Sequence, residues 1–256
     1  MLFVAKMLIG MLVGTLVGLT GLGGGILLLP ILIFGFGVPP IVAVGSDAAF
    51  NALTKIGAGY LHWKWHTLDW RLVWGLCVGS IPGALGGVFL IQHVRNVYGH
   101  EFDGMLRSFI GFLLVLIPLL LLLQNSAHRA DGPPGGSEKH FWQRVAGVGL
   151  VSGFLVGVSS VGSGTIVMLM LALFVRSAPA RLVGTDIVHA VILTGFTSIF
   201  YLRLGAVDAT LVFPLLIGSV PGALIGVRLA TLIPSPWLKR VICLSLMAAG
   251  ARMLWV

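Results

Sequence analysis

Long apolar runs separated by short polar or glycine-rich breaks set the pattern of the chain. Residues 2 to 20 predict a first helix. After a glycine break, Ile26 to Phe36 is an apolar run of only about 11 residues, roughly 16 Å as a helix. That is short of a hydrocarbon core of about 30 Å, and Gly35, Gly37 and Pro39-Pro40 stop it, so it reads as a half-helix or re-entrant segment. Helices are expected at 43–62, 70–92 and 105–123, with an interfacial turn from Gln92 to Asp103. Residues 124 to 141 are polar and rich in Pro and Gly, as a flexible linker is. The same succession then returns at 142–161, 165–175, 180–202, 209–232 and 236–255, again with a short second member.

The return is exact in register. Moving forward 139 positions carries Gly18, Gly23 and Gly25 onto Gly157, Gly162 and Gly164, and Val44-Gly45-Ser46-Asp47 onto Val183-Gly184-Thr185-Asp186. It also carries Asp69 onto Asp208, and the Gly79-to-Leu85 block onto Gly218 to Leu224. The chain is a tandem of two homologous halves, a construction common in membrane transporters. The expected fold is an all-α polytopic membrane helix bundle of two pseudo-symmetric repeats with short broken helices: a first repeat at 1–123, the linker at 124–141 and a second repeat at 142–256. Five crossings per half, an odd number, would invert one repeat relative to the other.

Composition agrees with a multi-pass membrane protein. The 256 residues are 57% hydrophobic and 9% charged, against about 25% charged in soluble domains, and the mean hydropathy is +1.05. The net charge of +8 is scattered through short loops and forms no basic cluster, so nucleic acid is not an expected partner. It acts as a topology signal, and the larger share on the linker side favours a cytoplasmic linker. A lone Lys6 and no small-residue cleavage site argue that the first run stays in place as a helix. Cys77 and Cys243 lie inside apolar runs and are not repeat equivalents, so they read as buried thiols. No metal or other cofactor is implied.

The candidate chemistry gathers at the breaks and on the third helix of each half. A helix starting inside a bilayer presents unpaired backbone N–H groups and a positive dipole end, which attract anions. Glycines 23, 24 and 25 clear the way to the backbone; Thr20, Ser159, Ser160 and Ser163 add hydroxyls, and Gly162 and Gly164 mirror the first break. On the third helix, Asp47, Asn51 and Lys55 share one face at helical spacing, with Asp186 and His189 on the copy. Lys55 has no partner in its own half and requires an anion, a carboxylate from elsewhere or a cavity. Ser46, Asn51, Lys55 and Thr185 join the residues of the breaks as candidate substrate ligands. Burial disfavours the charged form of a carboxyl, so Asp47 and Asp186, with His189 as relay, are the candidate proton-coupling residues. The Gly79-to-Gly87 block and its copy suit close helix packing. Trp63, Trp65, Trp70 and Trp74 read as an interfacial belt, and Asp69 and Asp208 as helix caps.

Taken together, the Gly-Leu-Gly-Gly-Gly run, Ala-Val-Gly-Ser-Asp and Gly-Ser-Ile-Pro-Gly-Ala-Leu-Gly-Gly, nearly all duplicated, resemble the sulfite exporter TauE/SafE family of membrane permeases. The resemblance implies a secondary transporter of sulfite, sulfonates or related small anions in the bacterial cytoplasmic (inner) membrane, with a homodimer as one option for assembly. Where the family pattern has Thr-Ser, this chain has Ser46-Asp47 and Thr185-Asp186, which points to proton coupling. An anion channel uses the same features. An intramembrane hydrolase built on Ser163 and His189 is the remaining alternative.

Overall fold

The computed structural model describes residues 2–20, 25–123, 138–174, 179–230 and 235–255, and every regular element among them is helical. Helix α1 spans Leu2–Thr20; the short α2, Gly25–Pro30, continues as a π-helical turn, Ile31–Gly35; α3 spans Pro40–Lys64 and α4 Trp70–Tyr98. A 3-10 turn, Gly99–Glu101, leads into α5, Phe102–Leu123. The remaining helices are α6 Glu138–Ser159, α7 Thr165–Phe174, α8 Pro179–Arg203, α9 Ala209–Ala230 and α10 Ser235–Trp255. Five of them are long and apolar enough to cross a bilayer, in α4, α5, α6, α8 and α9.

Local chemistry accounts for the boundaries. Pro40 occupies the first turn of α3, where its missing N–H costs nothing. The Asp69 carboxylate caps α4 by accepting from the Arg71 and Leu72 amides at 3.1 and 3.2 Å. Its counterpart Asp208 accepts from the Thr210 amide and hydroxyl at 2.8 and 2.7 Å. Two boundaries differ from expectation. Helix α4 runs on to Tyr98, because its backbone hydrogen bonds do not depend on an apolar pattern of side chains. Helix α6 starts at Glu138, inside the expected linker; residues 124–137 lie outside the described part.

The short α2 is buried all round. Ile26, Leu27, Leu28 and Leu29 pack with Leu32, Val44, Phe50, Ile110, Leu114 and Leu246 in the main core. A broken helix is tolerated at membrane depth only when protein surrounds it in this way. Large apolar side chains such as Phe112, Leu150, Phe213 and Leu224 face outward, as a lipid-facing surface requires. Trp63, Trp65, Trp70 and Trp74 are likewise exposed.

The helix pairing interlocks the two ends of the chain. Helix α1 packs on α9, α4 on α6, α3 on α8 and α5 on α10. Gly79, Gly83 and Gly87 of α4 lie against the carbonyls of Ala146, Leu150 and Phe154. Gly218, Gly222 and Gly226 of α9 lie against those of Met7, Met11 and Thr15. An offset of 139 turns one set into the other, and both pairs run parallel. Small residues are what allow membrane helices to approach this closely. The α3 and α8 helices run in opposite directions, with Gly45 against the Ala206 carbonyl and Gly184 against the Thr67 carbonyl.

Candidate functional site

Helix α3 places Asp47, Asn51 and Lys55 on successive turns of one face. Asp47 and Asn51 are fully buried and Lys55 is half-buried. The Asn51 amide donates to the Asp47 backbone carbonyl and to Asp47 Oδ2, both at 3.0 Å. This face meets the break between α6 and α7, where the chain closes α6 on itself: the Ser160 amide donates to the Val156 carbonyl at 2.8 Å. Ser159 donates its hydroxyl to Leu155 at 2.8 Å and accepts from the Val161 amide at 3.2 Å.

Two backbone conformations turn the break. Ser160 has φ +55°, uncommon for a residue with a side chain, and its hydroxyl donates to Asp47 Oδ2 at 2.7 Å. Gly162 has φ +97°, which glycine adopts without a steric penalty. The chain then enters α7, and Lys55 Nζ donates to Ser163 Oγ at 3.2 Å. A methyl group built on Gly164 would lie 3.3 Å from Asp186 Oδ2 and 3.8 Å from Lys55 Nζ. The bare glycine backbone thus leaves room for both the ammonium and the carboxylate of α8 beside the start of α7. The partner that Lys55 lacks in its own half comes from the other.

Not every hydrogen-bonding atom in the cluster is used. Asp47 Oδ1, Asn51 Oδ1, Asp186 Oδ1 and His189 Nδ1 are buried with no hydrogen-bond partner among the described residues. His189 Nε2 shares a 2.9 Å hydrogen bond with Ser80 Oγ of α4, a contact that sequence reasoning missed because Ser80 sits in a block of packing residues. Ser163 therefore engages Lys55 and His189 engages Ser80, rather than each other as a hydrolase would need.

The other expected ligands have different surroundings. The Asp208 amide donates to Ser46 Oγ and the Asp69 amide to Thr185 Oγ1, both at 3.0 Å, so these hydroxyls tie each of α3 and α8 to the loop following the other. Thr20 is the last residue of α1 and Gly25 the first of α2, while Gly23 and Gly24 lie outside the described residues. A cavity of about 240 Å³ between α6 and α7 is lined by Arg144, Gly147, Val148, Val151, Ile166 and Met170. It is apolar and does not include the ionisable cluster, where Asp47, Asn51, Ser160 and His189 have no exposed surface.

A model of the sulfite exporter TauE/SafE family matches residues 6–253 of the chain. The chain belongs to the TauE/SafE family. Among its relatives, the probable membrane transporter protein YjnA of Bacillus subtilis is 34% identical over 236 residues, covering 89% of this chain and 90% of YjnA. The probable membrane transporter protein YdhB of the same organism is 27% identical, covering 97% of this chain and 98% of YdhB. A probable membrane transporter protein of Xylella fastidiosa is 27% identical, with 96% and 92% coverage. No solved structure matches. Family, relatives and apolar helices together identify this TauE/SafE member as a multi-pass membrane transporter.

Proposed function

We propose that the protein is a proton-coupled secondary carrier of small sulfur-containing or organic anions, such as sulfite or sulfonates, in the bacterial inner membrane. The observation that carries the reading is Lys55 Nζ held at Ser163 Oγ, just ahead of a short helix inside the bundle. The start of α7 supplies backbone N–H groups and a positive dipole end, and Lys55 adds a full charge. Asp186 sits at the same place and acts as an internal anion. Substrate competes with it: protonation of Asp186 removes the competing charge, and loss of that proton on the opposite side helps expel the substrate. Asp47, with the same position in the other half, and His189, one turn from Asp186, complete the proton-coupling set.

Alternating access is assigned to two inverted repeats. The antiparallel α3–α8 pair and the exchange of α1–α9 for α6–α4 under one offset support this arrangement. A carrier is favoured over an open channel because Asp47, Asn51, Ser160 and His189 of the cluster have no exposed surface. Uptake into proteoliposomes tests the proposal with sulfite, thiosulfate, taurine, isethionate, sulfoacetate and simple carboxylates. A carrier gives saturable uptake and counterflow, driven by an imposed proton gradient. Single-channel currents, or no uptake of any of these anions, would overturn it.

A further inference from the structure

The break between α6 and α7 has two ends of opposite polarity, and the two carboxylates are divided between them. Asp186 and Lys55 stand at the start of α7, where helix N–H groups favour negative charge. Asp47 stands at the other end, tied by Ser160 to the point where α6 finishes. Near the end of this 22-residue helix, the Leu155, Val156 and Gly157 carbonyls accept from the Ser159 hydroxyl, the Ser160 amide and the Tyr201 hydroxyl, so the carbonyls of Val158 and Ser159 carry the negative end of the dipole there. A fully buried carboxylate beside the negative end of a helix is unfavourable unless a positive charge joins it.

The unused atoms identify what is missing. On consecutive turns of α3, Asp47 Oδ1 and Asn51 Oδ1 are both buried acceptors with no donor among the described residues, although Asp47 Oδ2 accepts from both Ser160 and Asn51. Two buried acceptors of this kind suit a cation and not an anion. The charge count sets its valence: two carboxylates, Asp47 and Asp186, face one ammonium, Lys55, so the charged cluster is one positive charge short. His189, the remaining titratable group, is held to Ser80 from α4. Oxygen-only ligation by a carboxylate, an amide and helix-end carbonyls suits a hard, small ion, and half-helix carbonyl ends serve such ions in other transporter folds.

We propose that Asp47 Oδ1, Asn51 Oδ1 and the carbonyl end of α6 form a seat for one sodium ion, separate from the anion end at Lys55, Ser163 and Gly164. The inference rests on the reading of this cluster as a coupling site, and a proton at Asp47 would compete with the sodium ion. A ligand that binds only the folded state raises its unfolding temperature. The test is therefore the thermal midpoint of the detergent-purified full chain in sodium, potassium or choline chloride at equal ionic strength. Sodium should raise the midpoint above that in potassium or choline for the wild type and for Lys55→Met, and the rise should vanish in Asp47→Asn. Should Asp47→Asn fail to fold, Asn51→Ser, which adds no charge, takes its place and should weaken the sodium response by about tenfold in concentration. Equal midpoints in all three salts overturn the seat, as does a sodium rise that survives both substitutions. A sodium rise dependent on Asp47 with no binding of any anion upholds the seat and overturns the anion carrier. Anion binding with no sodium rise does the reverse.

Discussion

Replacing Gly83 with alanine tests the interlocked packing that encloses the site. The new methyl carbon falls on the Leu150 carbonyl oxygen and 2.9 Å from the Phe154 amide nitrogen. Both atoms are α6 backbone and cannot rotate aside, so the two helices must separate by about half an ångström or more to restore ordinary contact. Overpacking of this kind costs about 1–3 kcal/mol, offset by up to about 1 kcal/mol from the better helix propensity of alanine. Gly86, three residues along the same helix, has nothing within 4 Å of such a methyl. Gly86→Ala therefore keeps the propensity gain without the clash, and the difference between the two variants isolates the contact at about 1–3 kcal/mol. Unfolding of each variant in mixed detergent, followed by tryptophan fluorescence, measures it. Gly222→Ala, facing the Met11 carbonyl from α9, should lose a comparable amount. If Gly83→Ala is as stable as Gly86→Ala, the close approach of α4 and α6 is refuted.

The remaining predictions concern the ties and the ionisable groups. Ser46→Ala and Thr185→Ala each remove the acceptor for one amide, Asp208 or Asp69, and should cost about 1–3 kcal/mol if the amide stays dry; no loss in either would show that the tie carries no stability. Asp69→Ala should cost about 1 kcal/mol through the lost cap of α4, read in the same unfolding assay. Asp186→Asn and Asp47→Asn should keep anion binding at low pH, where the wild-type carboxyls also hold protons, but flatten the pH dependence of transport. Full wild-type pH dependence in both variants would place the coupling elsewhere.

Much of the fold is legible in residue spacing, because a repeat and a glycine break are local signals. The short run from Ile26 to Phe36 corresponds to the helical stretch Gly25–Gly35, and the i, i+4 step from Asp47 to Asn51 corresponds to the hydrogen bond between them. The end of α4 is less legible, since Gln92, His93 and Arg95 look like a turn and are helical. Partners across the bundle were not legible at all. Lys55 could be said to need something from outside its half, but that Ser163 and Asp186 supply it depends on how α3 and α8 cross. Ser46 and Thr185 looked like ligands because they adjoin the aspartates. Only the three-dimensional packing shows their hydroxyls engaged by the Asp208 and Asp69 amides, and Ser80 shared with His189.

The dissociation constant of sulfite for wild type and Lys55→Met, measured at one pH and one salt concentration, tests the central claim most directly. An ammonium within about 4 Å of a bound anion contributes up to about 4 kcal/mol near a protein surface, so loss of even part of it should weaken binding at least about tenfold. Combining the change with Asp186→Asn removes the carboxylate left without its partner, and the weakening should persist. Tight sulfite binding by wild type with unchanged affinity in both variants would contradict an anion site at Lys55 and the start of α7.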